Sequence, residues 1–293
     1  FIQGRRNMSK PIKITTDSTA DLSPELIEKY NISITPLHIE MDGKSYSDGV
    51  DATPEDLFSY YDRTGKLAKS SAVAMGEYLD FFKKLTEEGY DVIHVNIGSF
   101  LSSSYQNACL AAEEMEGVYV INSKNLSSGT GHIALLAAEL AAKGLSAKEI
   151  AEQCEEAVER LDVSFIIETL DYLHAGGRCS GVAKFGANML KLRPSIIVEN
   201  NQMVVGKKYR GKILDCYLQY IREQIGDPSD VVLDRIFFTH SRMDPEHVKI
   251  CLEEIKKIAP FKEVIETNAG CVISCHCGPG CCGVLFFRTH KKQ

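Results

Sequence analysis

The sequence predicts an α/β protein of two domains, a mostly parallel sheet covered by helices followed by a smaller α+β domain. Three observations carry this prediction. Through the first 160 residues or so, apolar β-branched runs alternate with amphipathic stretches, the pattern of parallel strands joined by crossover helices. Beyond that point the pattern changes to a glycine-rich turn, a short helix and scattered β runs. The length of 293 residues also exceeds the usual extent of one hydrophobic core. The expected domains are residues 8–163 and 164–293.

Residues 12–16 are a short β-branched run that breaks at Asp17-Ser18-Thr19, and Ser23-Pro24 supplies an N-cap with proline in the first helical turn. Strand, loop and helix follow in that order. Residues 32–39 and 91–97 read as buried strands, 75–88 and 102–115 as amphipathic helices, and 118–121 as a fourth strand ending at Asn122-Ser123. Helices at 131–142 and 146–161 close the first domain, the second opened by the capping box of Ser146 and Glu149. In the second domain, β runs fall at 165–168, 195–199, 235–239, 262–267 and 284–288. A parallel sheet of this kind places its sites in the loops beyond the strand C-termini.

Composition narrows the function. With 44% hydrophobic and 25% charged residues the chain reads as soluble and globular, and no apolar run approaches the ~18 residues of a membrane span. Contact with a membrane surface would be transient and peripheral. A net charge of −7 argues against nucleic acid, which calls for a basic face. The ten cysteines show no evenly spaced disulfide framework and no signal peptide precedes them, so a reducing, cytoplasmic location is expected. The residues before Met8 lack a hydrophobic stretch and read as a vector-derived scar or a loose tail.

Four segments carry chemistry. Ser70 and Ser71 precede the helix at 75–88, where their hydroxyls suit either helix capping or a ligand. Ser99, Ser102, Ser103 and Ser104 follow the strand ending at Ile97, where free amides and hydroxyls can hold an anion or cap the next helix. That loop lacks the lysine of a P-loop and any dinucleotide fingerprint, so ATP is not its expected ligand. Gly176-Gly177-Arg178 allows a sharp turn that projects a guanidinium, or forms an ordinary helix C-cap. Arg193, Lys207, Lys208, Arg210 and Lys212 form the strongest basic concentration, which reads as a partner contact or a solvated face.

The fourth segment, 271–283, holds five of the ten cysteines together with His276. Its contiguous Cys275-His276-Cys277 does not match the paired knuckles of a structural zinc site. In an extended stretch, alternation would turn His276 away from both thiols, so no metal is expected. A catalytic Cys–His pair is poorly served by adjacent residues. Either the thiols pack as small apolar groups, or the imidazole beside Gly278-Pro279-Gly280 is the functional part.

Read in order, these segments resemble the DegV family of bacterial lipid-binding proteins, which includes the fatty-acid-binding subunits of fatty acid kinase. The resemblance runs from about Lys13 to Arg288. It rests on Thr16-Asp17-Ser18-Thr19-Ala20-Asp21, Leu101-Ser102 with Tyr105, Ser123-Lys124 with Ser128-Gly129 and Gly131, Leu173 with Gly176-Gly177-Arg178, Lys208 with Arg210, and His276 with Gly278-Pro279-Gly280. It implies a Rossmann-like N-terminal domain, a smaller C-terminal domain and a long-chain fatty acid between them, with no other cofactor. The carboxylate would be held by Ser70, Ser102 and His276, supported by Ser71, Ser103, Ser104 and Gly278. Arg178 and Arg210 would face a fatty acid kinase catalytic subunit or the phosphoryl group it transfers, so the chain would be a carrier feeding acyl-phosphate and phospholipid synthesis and not itself an enzyme. Several positions depart from the family pattern: the first serine loop has Ser70 where a threonine and Val73 where a proline is usual, Ser103 replaces a glycine, and the cysteines around His276 and Cys179 after Arg178 are atypical. A serine–histidine hydrolase and a thiol-rich metal or redox protein are the alternative functions.

Overall fold

A computed structural model describes residues 10–182 and 192–291. The first part of the chain comprises β1 (Ile12–Asp17), a 3-10 turn (Ser18–Ala20), α1 (Pro24–Lys29), β2 (Ser33–Thr35), β3 (His38–Met41), β4 (Lys44–Ser47), α2 (Pro54–Thr64), β5 (Lys69–Ser71), α3 (Met75–Glu87), β6 (Asp91–Asn96), α4 (Ser104–Glu113), β7 (Val118–Asn122), α5 (Ser128–Ala142) and α6 (Ala147–Val158). The second comprises β8 (Leu161–Ile166), α7 (Asp171–Gly176), β9 (Cys179–Ser180), β10 (Leu192–Glu199), β11 (Gln202–Arg210), α8 (Ile213–Ile225), β12 (Val231–Ser241), α9 (Pro245–Ile258), β13 (Glu263–Asn268), α10 (Cys271–Cys277) and β14 (Cys281–Arg288).

The predicted α/β class holds. Four parallel strands in the order β2-β1-β6-β7 form the N-terminal sheet, and a mixed sheet in the order β13-β12-β14-β8-β10-β11-β9 forms the C-terminal one. The expected division at 163/164 falls inside β8, which pairs with β10 and β14 of the larger sheet. A third sheet, β4-β3-β5, was not anticipated. It arises because residues 32–39 are not one strand: Pro36 interrupts them, leaving β2 in the parallel sheet and β3 outside it.

Helix α5 lies between the two sheets and is buried on nearly every face, as its apolar sequence requires. Its first turn explains the Ser128-Gly129 and Gly131 pattern. A Cβ on Gly129 would stand 2.6 Å from Val163 of β8, and one on Gly131 would stand 2.7 Å from the Ala20 carbonyl. Both glycines therefore serve close packing, and Ser128 hydrogen-bonds Thr239 of β12. Arg235 of β12 adds a bridge to Glu139 of α5 at 2.5 Å and to Glu263 at 2.9 Å. One hydrophobic cluster consequently runs from Ile14 and Ile93 of the first sheet through Ile133 to Val163 and Leu285 of the second.

The capping box of α6 forms as predicted, with Glu149 N–H donating to Ser146 Oγ at 3.3 Å and Ser146 N–H to Glu149 Oε2 at 2.8 Å. The second half holds more helix than a short helix with scattered β runs. α8 and α9 pack on the outer face of the larger sheet through Tyr217, Tyr220, Ile221, Val248 and Ile255. Among the described residues no helix is long and apolar enough to cross a membrane.

Candidate functional site

In the N-terminal sheet β1 and β6 are neighbours, with β2 and β7 on opposite sides, so the chain diverges from their carboxyl ends and leaves a crevice there. The loop after β6 carries Ser102 into this crevice. Opposite stand Ser70 from β5, His276 from α10 and Arg178 from the turn after α7, and the four line one cavity of about 470 Å³. Ser71 and Ser103 line the same cavity, together with Leu101, Ile273 and other carbon groups deeper inside.

His276 is positioned by a helix and not by the extended stretch anticipated from sequence. α10 begins at Gly270, its N-cap, and ends where Gly278 adopts a positive φ of 77° and donates to the Ser274 carbonyl at 2.9 Å. Near the end of α10, the His276 imidazole places Nε2 2.7 Å from Ser70 Oγ. Its Nδ1 is buried without a hydrogen-bond partner. The ring is wedged against Gly176, where an added Cβ would stand 2.2 Å from Nδ1. Of the paired glycines, Gly177 is the C-cap of α7 at φ 66°, and Gly176 is the gap that admits the imidazole. Burial, helped by the nearby Arg178 charge, lowers the His276 pKa to about 4. With its proton on Nε2 the neutral ring donates to Ser70, and the Ser70 O–H is then free to turn towards Cys275 or the cavity.

Ser70 and Ser71 do not cap α3, because they belong to strand β5. The cap is made by Glu77, whose carboxylate accepts from the Ala74 amide at 2.8 Å. Ser102 combines both expected roles: its Oγ accepts from the Ser104 amide at the start of α4 at 3.2 Å and also faces the cavity. Ser104 is buried behind it, bonded to Ser102 Oγ at 3.0 Å and accepting from the Val73 amide at 3.1 Å. The departures at Val73 and Ser103 are thereby accommodated. Val73 supplies an N–H that proline would lack, tying the two serine loops together. Ser103 has φ −69° and ψ −5°, a right-handed conformation with no need of glycine.

A narrow slot of about 20 Å³, sharing Leu126, Ile273 and Cys277 with the cavity, lies between the larger sheet, α10 and the residues that precede α5. Several hydroxyl residues border this slot, yet their polar atoms are engaged elsewhere. Ser127 Oγ bonds Asp21 at 2.6 Å, Ser164 Oγ bonds Tyr220 at 2.7 Å, and Ser241 Oγ bonds Ser274 at 3.1 Å. Thr239 Oγ1 is shared between Ser128 and Thr267. The slot therefore presents carbon, the surface an acyl chain requires.

The cysteines of the segment pack as small apolar groups. Cys271 and Cys275, one turn apart, join the core beneath β3 and α3, whereas Ile273 and Cys277 face the slot. Burial pushes the Cys275 thiol up to about 12 and the Cys179 thiol up to about 11. A hydrogen bond with Cys281, together with burial, raises Cys277 strongly. Among the described residues no group of three His, Cys, Asp or Glu side chains is placed to hold a metal ion. Of the ten thiols only Cys109 is not buried, so iodoacetamide applied to the folded protein is expected to modify Cys109 first and the other nine after denaturation. Rapid labelling at Cys277 or Cys281 would contradict this placement.

Sequence reasoning missed the acidic residues that hold these loops together. Asp17 accepts from the Ile97 amide at 2.7 Å, fixing the start of the Ser102 loop. Asp21 and Asp48 accept from the Gly270 and Cys271 amides, at 2.7 Å and 2.8 Å, fixing the start of α10. The Thr16–Asp21 pattern was the sequence signal for Asp17 and Asp21, and Asp48 had none. Other residues expected in the site lie outside it. Gly278 packs on the Tyr172 ring, and Arg210 follows the cavity-lining Met203 by seven residues along β11, roughly 20 Å at the usual strand rise. Arg178 is exposed at the mouth, donating to the Gly176 carbonyl at 2.6 Å. Lys207, from the basic run, pairs with Glu223 at 2.6 Å.

His94 and His132 are buried and His276 is half-buried, and desolvation lowers their pKa values to about 3, 3 and 4. Because the folded-state values lie below the ordinary ~6.5, the stability contributed by keeping these rings neutral is complete above that pH and is lost as pH falls. Urea denaturation between pH 7 and pH 4 is expected to show that His94→Gln loses less stability over this range than the native chain, because it lacks one of these contributions.

The DegV family model matches residues 11–289. The chain is 33% identical over 288 residues to a DegV domain-containing protein of Clostridium acetobutylicum, with 95% of this chain and 99% of the relative covered. It is 30% identical over 292 residues to a protein of Thermotoga maritima named as a fatty acid-binding protein, covering 96% and 99%. Among solved structures it is similar to a DegV family protein from Thermus thermophilus described as binding fatty acid, with a TM-score of 0.85, 26% identity and coverage of 95% and 99%.

Proposed function

The chain belongs to the DegV family, and we propose that it is a fatty-acid carrier that buries an acyl chain between its two sheets and holds the carboxylate in the Ser70–Ser102–His276 cavity. The observation that carries this reading is a donor-lined cavity that shares Leu126, Ile273 and Cys277 with a carbon-lined slot beside it. The Ser70 hydroxyl can donate to a carboxylate, the Ser102 hydroxyl can do so by turning from Ser104 Oγ, and Arg178 supplies positive charge at the mouth. Each buried methylene contributes about 0.8 kcal/mol, so a long tail offsets both head-group desolvation and the widening of the slot.

In this proposal the exposed mouth presents the carboxylate to a separate kinase that forms the acyl-phosphate, with Arg178 rather than Arg210 beside the reacting group. Its support is the position of Arg178 on the cavity rim and the distance of Arg210 from it. Arg178→Ala is expected to slow phosphorylation by such a kinase more than it weakens lipid retention.

The Ser70–His276 contact also has the length of a nucleophile–base pair. Chemistry of that kind needs a third group to orient the ring and a base that holds a proton near neutrality. Here Nδ1 has no partner and the ring is a weak base, so a binding role fits better. Lipid extraction after mild purification should recover a fatty acid from the native chain and about tenfold less from His276→Ala, a difference of about 1.4 kcal/mol. Stoichiometric labelling of Ser70 by a serine-directed phosphonate would instead favour the hydrolase.

A further inference from the structure

Asp17, Asp21 and Asp48 form a buried cluster beneath α10, with 0%, 6% and 4% of their surfaces exposed. Their hydrogen bonds are made with amides, hydroxyls and the Cys271 thiol, and no Lys, Arg or His takes part among the described residues. Three anions without a cation would repel one another in such a place, so the cluster must keep a proton. The hydrogen-bond pattern shows where.

Asp17 accepts N–H bonds on both oxygens, from Thr19 at 2.9 Å and from Ile97 at 2.7 Å. Asp48 does the same with the first amides of α10, Cys271 at 2.8 Å and Val272 at 3.4 Å. An amide N–H can only donate, so these two groups are set up as carboxylates. Asp21 differs. Its Oδ1 accepts from the Gly270 amide at 2.7 Å, but its Oδ2 meets only the Ser127 hydroxyl at 2.6 Å, and a hydroxyl can accept as readily as donate. Ser127 is also held at φ 54°, a conformation that favours glycine, and a side chain that tethers it there accounts for a serine at this place.

We propose that Asp21 is a neutral carboxylic acid, donating from Oδ2 to Ser127 and accepting from Gly270, and that in this form it is the positioning residue that seats α10, and with it His276, against the N-terminal sheet. The titratable groups facing it are Asp17 at the end of β1, Asp48 from the loop after β4, and the thiols of Cys271 and Cys277 on α10. From the turn before α5 comes only the Ser127 hydroxyl. Burial first, and then the neighbouring carboxylates, raise the Asp21 pKa well above the ordinary value, while Asp17 rises only to about 6. A raised folded-state value means that this contribution to stability is present at low pH and is lost as pH rises through it. The inference concerns the anchor of α10, and its test uses no lipid, so it can fail while the carrier function stands, and the reverse.

The test combines infrared difference spectroscopy at pH 7 with a series of variants of the full chain. Asp21→Asn copies the neutral acid, keeping an acceptor for Gly270 and a donor for Ser127. It should melt within about 2 °C of the native chain and remove a protonated-carboxyl band present in the native spectrum. Asp48→Asn turns an NH2 towards an amide donor, and should melt far lower or fail to fold. Asp21→Ala should move the His276 ring resonances, which Asp21→Asn leaves in place. The proposal is overturned if the native chain lacks the band, if Asp21→Asn retains it, if Asp21→Asn is as damaging as Asp48→Asn, or if the His276 resonances ignore Asp21→Ala.

Discussion

Alanine at Gly176 is expected to destroy fatty-acid retention, although the residue touches no part of the proposed ligand. A Cβ at this position would lie 2.2 Å from His276 Nδ1, well inside any tolerable contact, and the obstacle is the buried edge of the ring. The imidazole must swing away from Ser70, breaking the bond that frees the Ser70 hydroxyl for the cavity. Overpacking of this kind costs about 1–3 kcal/mol of stability, and loss of the oriented donor pair should weaken retention at least roughly tenfold. Gly177 is the control. Its φ of 66° makes alanine strained by about 1–2 kcal/mol, but a Cβ there meets open space. Gly177→Ala should therefore lower the melting temperature modestly and leave retention intact, as measured by lipid extraction of both variants.

Phenylalanine at Cys277 should divide ligands by length. Cys277 lines both the head-group cavity and the slot, so the added ring fills the passage between them. The donors at Ser70, Ser102 and His276 stay in place, and a short acid such as octanoate should still compete for them. A long acid loses its sleeve and, at about 0.8 kcal/mol per methylene, most of its affinity. Competition binding with octanoate and stearate would show this as a collapse of chain-length preference. Equal loss for both acids would mean that the slot is not the path of the tail.

The parallel sheet and its helices were legible because β-branched runs and helical periodicity sit side by side along residues 12–158. The site was legible in part. Ser70, Ser102 and His276 do converge, although Ser70 and His276 are separated by 206 residues and no local pattern announces their contact. α10 was hidden for a physical reason. It is seven residues long and buried on two faces, so it shows no polar stripe, and its cysteines read as metal chemistry before they read as packing. Gly176 looked like half of a C-cap because sequence cannot reveal the ring that fills the space beside it. The acidic residues were invisible as positioning groups because their partners are backbone amides far along the chain, which no residue type betrays. α8 and α9, by contrast, carried their signal openly, in the spacing of Tyr217, Tyr220 and Ile221 and in Asp244-Pro245 at the start of α9.

The Cys-rich segment at 271–283 thus divides its labour: thiols of α10 and β14 that pack, and one imidazole on α10 that faces the cavity. Native mass spectrometry of the chain with stearate and with methyl stearate tests this arrangement most directly, because the two ligands share a tail and differ only in the carboxylate. The expected result is a one-to-one complex with stearate that His276→Ala weakens, and little or none with the ester. Equal binding of acid and ester, or binding of neither, would contradict the assignment of a carboxylate to the Ser70–Ser102–His276 cavity.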